Sequence, residues 1–75
     1  MEIIKINDEF IKLDSFLKLE GLCQTGGEAK NAILDGEVRV NGEIETRRGK
    51  KLRPGDIISF NGIEFKIGEK WNSNI

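Results

Sequence analysis

The sequence predicts a single α+β domain, in which two helices pack on a small antiparallel sheet of four or five strands. Three observations lead to this class. The chain has 75 residues, which is enough for one small domain only. Its apolar residues recur with a helical period from residue 13 to residue 33 and then alternate with the period of a strand from residue 38 onward. The predicted connections are short, which favours antiparallel pairing between neighbouring strands.

The first predicted elements are a strand and a short helix. The β-branched stretch EIIKI, residues 2 to 6, is typical of a strand. The stretch LDSFLKLEG predicts a helix whose apolar stripe has the spacing i, i+3 and i+4: Leu13, Phe16 and Leu17. Gly21 suits the left-handed position after the end of this helix. Lys12 and Lys18 lie off the stripe, so we place them on the outer face of the helix.

A second helix is predicted to begin at the stretch TGGEAK. Thr25 and Glu28 have the T-x-x-E spacing of a capping box, which makes Thr25 the N-cap and puts Gly26 and Gly27 in the first turn. Gly36 is expected to end the helix. Its buried stripe is predicted to contain three residues: Ala29, Ala32 and Ile33.

Asn41-Gly42 and Asn61-Gly62 mark two hairpins. At the first, a strict two-residue turn would pair the polar Arg39 with the apolar Ile44 and so mix the faces of the sheet. We therefore predict a three-residue loop there, with a left-handed Gly42 and these pairs: Val38 with Ile44, and Arg39 with Glu43. At the second, a type I′ turn gives consistent faces and these pairs: Phe60 with Ile63, and Ile58 with Phe65.

The residue types exclude several classes of function. The chain has no histidine, no tyrosine and a single cysteine, Cys23. It therefore lacks the commonest general base and the residues for a thiol dyad or a zinc site. We predict no catalytic residue, no metal and no cofactor, and hence no enzyme. The lone thiol, and the lack of an apolar run long enough for a signal peptide or a membrane span, lead us to expect a cytoplasmic domain. We expect a monomer, although no feature of the sequence fixes the oligomeric state.

Positive charge is concentrated in RRGKKLR, residues 47 to 53, which we call the basic segment. It holds five cations and no acid, so the rest of the chain carries −6 against a formal total of −1. Cations this dense repel one another unless an anion lies among them, and Gly49 favours a bend that could follow a phosphate backbone. The alternative is a solvated basic loop balanced by the nearby Glu43 and Glu45.

The two glycines at the start of the second helix suggest an anion-binding position. A helix N-terminus presents unpaired N–H groups and a partial positive charge. Gly26 and Gly27 carry no side chain to keep a bulky anion away, and Lys30 follows on the same face. The alternative is that the glycines only allow the turn between the helices to pack tightly.

Aromatic residues give no base-stacking platform. The four phenylalanines fall at core-phase positions. Trp71 is expected to close the core, with stacking on a base as the alternative. This argues against recognition of single strands by stacking and leaves recognition of the shape and phosphates of a folded or double-stranded nucleic acid.

The run KLDSFLKLEGLCQTGGEAKNAILDGEVRVNGEIETRRGKKLRPGDIISFNG, residues 12 to 62, resembles the S-four-type RNA-binding domain, also called the alpha-L motif. LDSFL, VNG and PGD belong to the general frame of that family. TGG-x-AK and RRGKKL are similar to its small free-standing bacterial members, the YaaA/YbcJ-like group. We interpret residues 1–75 as one such domain with its motif core at about 12–62.

The resemblance implies two helices on a small antiparallel sheet, and structured ribosomal or transfer RNA as the ligand. Taken with the charge pattern, it predicts these RNA-binding residues: Lys12, Lys18, Gly26, Gly27, Lys30, Arg39, Arg47, Arg48, Lys50, Lys51 and Arg53. The chain departs from the family at Gly26-Gly27, where many members have Ser-Arg, and in its negative overall charge.

Other readings remain open at this point. The same basic surface could serve a protein-interaction adaptor of the ribosome or the replication machinery, and duplex DNA remains an alternative ligand. The stretch around VNGE and PGDIISF is also similar to sulfur-carrier relatives of ubiquitin. Those chains end in Gly-Gly, whereas this sequence ends NSNI.

Overall fold

A computed structural model describes residues 1–6 and 8–68 of the chain. Two helices, α1 (Leu13–Leu19) and α2 (Gly26–Leu34), pack on a five-stranded sheet. The strands are, in chain order, β1 Glu2–Ile4, β2 Ile11–Lys12, β3 Val38–Val40, β4 Glu43–Ile44, β5 Lys51–Leu52, β6 Ile57–Phe60 and β7 Ile63–Ile67. The predicted α+β class is confirmed. The predicted role of Trp71 lies outside the described residues.

The sheet is mixed rather than wholly antiparallel. Its strand order is β1-β7-β6-β3-β4, and every pair is antiparallel except β1 with β7, which is parallel. The prediction was wrong at this edge because short connections constrain only strands that follow one another in sequence. β1 reaches its partner through most of the chain, so its direction is not fixed by a tight turn. β2 and β5 form a separate antiparallel ribbon of two strands.

The second hairpin has the predicted register. Asn61 and Gly62 have φ values of 53° and 77°, as a type I′ turn requires. The cross-strand pairs are Phe60 with Ile63 and Ile58 with Phe65. Turn chemistry and apolar alternation agree here, and both are satisfied.

The first hairpin has the register that the sequence argument rejected. Asn41 and Gly42 have φ values of 53° and 85°, and the two-residue turn pairs Arg39 with Ile44 and Val40 with Glu43. The left-handed Gly42 was correct, but the three-residue loop was wrong. A type I′ turn matches the twist of the flanking strands. The register that this turn imposes leaves the Ile44 side chain 52% exposed. Turn geometry therefore outweighs the burial of one isoleucine at a short edge strand.

The helix boundaries follow from their predicted caps. The Thr25 hydroxyl accepts a hydrogen bond from the Glu28 N–H at 3.1 Å. The Glu28 carboxylate accepts from the Gln24 N–H at 3.2 Å instead of the Thr25 N–H, so the box closes one residue earlier than predicted. Gly21 and Gly36 have positive φ values directly after the two helices, as predicted. Lys12 is a correction, since it lies in β2 and precedes α1 rather than standing on its outer face.

The core lies between the helices and the inner face of the sheet. Both predicted helical stripes are buried: Leu13, Phe16 and Leu17 on α1, and Ala29, Ala32 and Ile33 on α2. Phe16 meets Phe65 of β7 edge to face, with ring centroids 5.5 Å apart and planes at 79°. Leu52 brings the β2–β5 ribbon into the same core and has no exposed surface. In the part of the chain that the structure describes, no helix is long and apolar enough to cross a bilayer.

Candidate nucleic-acid interface

The basic segment is attached to the N-terminus of α1 by backbone hydrogen bonds. The chain turns at residues 47–50, where the Lys50 N–H donates to the Arg47 carbonyl at 3.2 Å. The Leu13 N–H then donates to the Lys50 carbonyl at 2.9 Å, and the Asp14 N–H donates to the Arg48 carbonyl at 3.1 Å. α1 has no side-chain cap at Lys12, so these carbonyls satisfy amides that a helix start leaves unpaired. The segment is thus attached to α1 through its backbone carbonyls, and its charged side chains take no part in this attachment.

An open depression of about 860 Å³ lies along the basic segment. We call it the basic groove, and it is lined by Arg47, Gly49, Lys50, Lys51, Arg53, Pro54 and Asp56. Four of its seven lining residues are cationic and one is acidic. A concave surface lined by one sign of charge concentrates the field and attracts the opposite charge.

Arg47 differs from the other cations of the segment because a carboxylate already holds it. Its Nε and Nη2 donate to the two Glu45 oxygens at 3.0 Å and 3.2 Å, and its backbone N–H donates to Glu45 as well. These hydrogen bonds hold the Glu45 pKa below its ordinary value and raise the pKa of Arg47. Among the described residues this is the only ion pair. Arg48, Lys50, Lys51 and Arg53 therefore make none with that part of the chain.

The β2–β5 ribbon extends the positive charge beside the groove. Ile11 and Leu52 are paired and pack toward the core, so the next pair, Lys12 and Lys51, lies on the outward face. Like charges directly opposite each other in a ladder are destabilising. The ribbon keeps this arrangement, which favours a role for the charges beyond the stability of the fold.

Phe10 lies under the cations of the groove and was not recognised from the sequence, which placed it in the core phase. It is half-buried. The Lys51 Nζ lies 4.8 Å from the centre of its ring, and the Arg53 Cζ lies 5.6 Å from it. Both distances are within the range of cation–π contacts. Phe10 directly precedes β2, which has only two residues, too few for a period of two to show which face a neighbouring residue takes.

A polar network holds the far end of the basic segment and was also missed. Asp56 accepts hydrogen bonds from the Arg53 N–H at 2.9 Å and from the Asn41 side-chain amide at 3.1 Å. The Asn41 side-chain oxygen accepts from the Ile57 N–H at 2.9 Å. The VNG and PGD motifs, which the sequence shows only as separate turn signals, are therefore in contact. Gly55 has a φ of 97°, as the Pro54-Gly55 turn requires.

The start of α2 is open. A Cβ built on Gly26 meets no atom within 4 Å, and one built on Gly27 meets only the Thr25 hydroxyl, at 3.9 Å. Neither glycine has a positive φ, and neither amide donates to a described residue. Tight packing therefore does not explain these glycines. Lys30 is exposed one turn further along the helix.

The structure separates the remaining predicted residues. Lys18 is exposed in the last turn of α1, at the end away from the basic segment. Arg39 alternates with the buried Val38 and Val40 on β3, so it lies on the sheet face opposite the helices. Its guanidinium donates to the Gly42 carbonyl at 3.2 Å within its own hairpin. The groove and the ribbon beside it thus bring together these predicted cations: Lys12, Arg47, Lys50, Lys51 and Arg53. Arg48 lies in the turn whose carbonyls meet the start of α1, and Arg39 is apart from the group.

Cys23 has no ligand-like surroundings. It is buried, and burial together with Glu28 and Glu37 raises the pKa of its thiol. Within residues 1–6 and 8–68 there is no group of three or more Cys, Asp or Glu side chains that could hold a metal ion.

Comparison with known proteins is consistent with this geometry. The family model of the S4 domain matches residues 4–68. The chain belongs to the S4 domain family. It is 46% identical to the "Probable ribosome maturation protein RlbA" of Bacillus subtilis over 60 residues. These aligned residues are 80% of this chain and 84% of that protein. It is 44% identical over 57 residues to YbcJ of Escherichia coli, which covers 76% of this chain and 81% of YbcJ.

The solution structure of Escherichia coli YbcJ confirms the alpha-L architecture. It superposes on this S4 domain with a TM-score of 0.67 at 35% identity, over 91% of this chain and 87% of YbcJ. That structure is described as an alpha-L motif involved in RNA binding. The small ribosomal subunit protein uS4 of Rhodopirellula baltica is 38% identical over 53 residues, which are 71% of this chain and 26% of uS4. The resemblance drawn from the sequence is thereby confirmed.

Proposed function

We propose that this S4 domain is a non-catalytic module that binds structured RNA, ribosomal or transfer RNA, through backbone phosphates. The observation that carries the proposal is the basic groove, in which Lys50, Lys51 and Arg53 have no carboxylate partner in the described chain. The description of YbcJ as RNA-binding and the name of RlbA as a ribosome maturation protein support the choice of ligand. We place this activity in the cytoplasm and assign it to the monomer.

Phosphate recognition suits the chemistry of the groove. Cations that neutralise the phosphates of a polyanion release the counterions condensed on it, and this release makes binding depend strongly on salt. Recognition by shape and phosphates is also what double-stranded and folded RNA allows, because its major groove is too narrow for side chains to read. Lys12 and Arg48 would extend the contact beside the groove.

The open start of α2 is the second part of the proposed surface. An incoming phosphate oxygen could accept from the amides of Gly26 and Gly27, and Lys30 would add charge. Lys18 would add charge as well. It is exposed in the last turn of α1, from which the chain turns into α2. We leave Arg39 outside the surface, because it lies on the opposite face of the sheet.

Two triple variants test the proposal with identical changes of charge. The first removes the groove cations, Lys50→Ala, Lys51→Ala and Arg53→Ala. The second removes exposed cations elsewhere, Lys5→Ala, Arg39→Ala and Lys66→Ala. Each removes two lysines and one arginine, so the formal net charge falls from −1 to −4 in both.

The affinity for labelled transfer RNA and ribosomal RNA fragments is measured by titration over a range of salt concentrations. We expect the groove variant to bind far more weakly and to lose about 2 to 3 from its salt slope, since each phosphate contact contributes about 0.7 to 0.9. The second variant should keep the slope of the parent. Equal losses in the two variants would show that net charge, not the groove, controls binding. A parent chain that binds no RNA, but captures an acidic protein after nuclease treatment, would favour the adaptor.

A further inference from the structure

Phe10 is the feature of this surface that phosphate binding alone does not explain. The outward face of the β2–β5 ribbon carries the paired Lys12 and Lys51, while Ile11 and Leu52 face the core. Phe10 directly precedes this ribbon, and a fully exposed phenylalanine would place apolar surface in water. Its ring instead lies against two cations, with the Lys51 Nζ at 4.8 Å and the Arg53 Cζ at 5.6 Å from its centre.

No carboxylate of the described chain pairs with the side chains of Lys51 and Arg53. Neither Lys51 nor Arg53 forms an ion pair there, and Asp56, the acid that lines the groove, accepts from Asn41 and the Arg53 backbone. The ring of Phe10 is therefore the group that restricts where the Lys51 ammonium and the Arg53 guanidinium lie. Long cationic side chains otherwise lose much rotamer freedom when they bind a partner.

We propose that Phe10 is a positioning residue, whose ring holds Lys51 and Arg53 over the basic groove so that both contact neighbouring phosphates of the RNA backbone. This inference rests on the proposed function of the groove and adds the group that preorganises it. A site whose side chains are already placed loses less conformational freedom on binding, and the affinity rises accordingly. We assign the ring to the two cations that lie against it and not to stacking on a base.

The test is a double-mutant cycle with transfer RNA and with inorganic polyphosphate, a polyanion that has no bases. Phe10→Leu removes the ring and keeps an apolar side chain of similar reach. Phe10→Tyr keeps the ring and its negative face. Phe10→pentafluorophenylalanine keeps the shape but reverses the charge of the face, so it separates the attraction of the cations from simple packing.

We expect Phe10→Leu and the fluorinated variant to weaken binding of both probes by about three- to ten-fold, and Phe10→Tyr to bind as the parent does. In the background Lys51→Ala, Arg53→Ala, the loss from Phe10→Leu should fall below about two-fold, because the residues through which the ring acts are gone. Thermal unfolding of each variant checks that the domain is folded.

Three outcomes would overturn the inference. A loss confined to transfer RNA would mean that the ring contacts bases directly. A loss that persists unchanged in the Lys51→Ala, Arg53→Ala background would mean that the ring does not act through these two cations. Parent-like binding by the fluorinated variant would leave Phe10 as packing only. If the parent binds polyphosphate but no RNA, the proposed function fails while the positioning role is still measured. If it binds neither probe, both proposals fail.

Discussion

The two helices of this domain begin in opposite ways. At the start of α1, backbone carbonyls of Lys50 and Arg48 accept from the Leu13 and Asp14 amides, and there is no side-chain cap. At the start of α2, the Thr25 hydroxyl caps the Glu28 amide, and the amides of Gly26 and Gly27 have no partner in the described chain.

The difference separates two ways of presenting positive charge to a ligand. The first amides of α1 are paired with carbonyls of the basic segment, and they hold in place a segment that carries full charges. The start of α2 offers only the partial charges of its own backbone. Binding that depends on full charges should vary with salt, whereas binding to neutral amides should not. The variants below test this contrast, beginning with the largest expected effect.

Leu52→Ala should destabilise the domain most, because it breaks the attachment of the basic segment at α1. Leu52 has no exposed surface and joins β5 to the core. We expect the free energy of unfolding to fall by about 2 to 4 kcal/mol, as for other buried leucines. Leu34→Ala is the matched control, since Leu34 is 57% exposed on α2 and should cost less than about 1 kcal/mol. Urea titrations measure both, and equal losses would contradict the attachment.

Gly26→Ala with Gly27→Ala should act on the start of α2 alone. Open space around both positions leaves room for a methyl group, so the free energy of unfolding should rise by about 0.4 to 1 kcal/mol for each substitution. The affinity for transfer RNA should fall about ten-fold, since an amide–phosphate hydrogen bond is charge-assisted, while the salt slope stays unchanged.

Asn31→Ala is the control for this pair. It also favours the helix at an exposed position of α2, but it lies beyond the first turn. It should raise stability and leave the affinity as it was. A glycine variant that is more stable and binds RNA equally well would remove the start of α2 from the interface.

The two N-cap positions should respond differently to the same truncation. Thr25→Ala removes a cap hydrogen bond and should cost about 1 kcal/mol of unfolding free energy, which Thr25→Ser should restore. Lys12→Ala removes no cap and relieves the repulsion with Lys51, so the domain should be unchanged or slightly more stable. Thermal unfolding compares them. A cost at Lys12 equal to that at Thr25 would mean that the carbonyls of the basic segment do not replace a cap.

The smallest effect is expected from Glu45→Gln, and it should depend on pH. Arg47 holds the Glu45 pKa below its ordinary value of 4.5, so folding favours the carboxylate. The resulting stability is fully present above the unfolded pKa and is lost as the pH falls through the lower folded pKa. The parent should therefore lose more stability than Glu45→Gln on acidification from about pH 6 to about pH 3. Glu43→Gln, two residues earlier on β4 and outside any ion pair in the described chain, is the control. Parallel acid profiles for all three proteins would exclude a contribution from the pair.

Much of the fold could be predicted because local rules agree with one another. The stripe on α1, the cap at Thr25 and the hairpin at Asn61-Gly62 each follow from spacing and turn chemistry within a few residues. The register at Asn41-Gly42 was missed because two local rules conflict there, and the weight of each depends on how exposed the edge strand is. The direction of β1 depends on a contact between the two ends of the described chain, which leaves no local signal.

The sequence identified the kinds of residue that form the candidate site better than it identified their positions in the fold. The density of cations in the basic segment is visible in the sequence, but its attachment to α1 depends on backbone hydrogen bonds that any residue could make. The partner of Arg47 lies only two residues away in sequence, yet no periodic pattern singles out Glu45 from the other acids. Phe10 looks like a core residue until the pairing of β2 with β5 places it beside Lys51 and Arg53.

Both ends of the basic segment are fastened by side chains that lie outside it. Glu45 holds the Arg47 end, and Asp56 together with Asn41 holds the Arg53 end. The stretch between them contributes little side-chain volume to the core apart from Leu52. Substitutions at the exposed positions of the segment should therefore leave the core intact. A domain of this architecture could change its ligand through a handful of such substitutions.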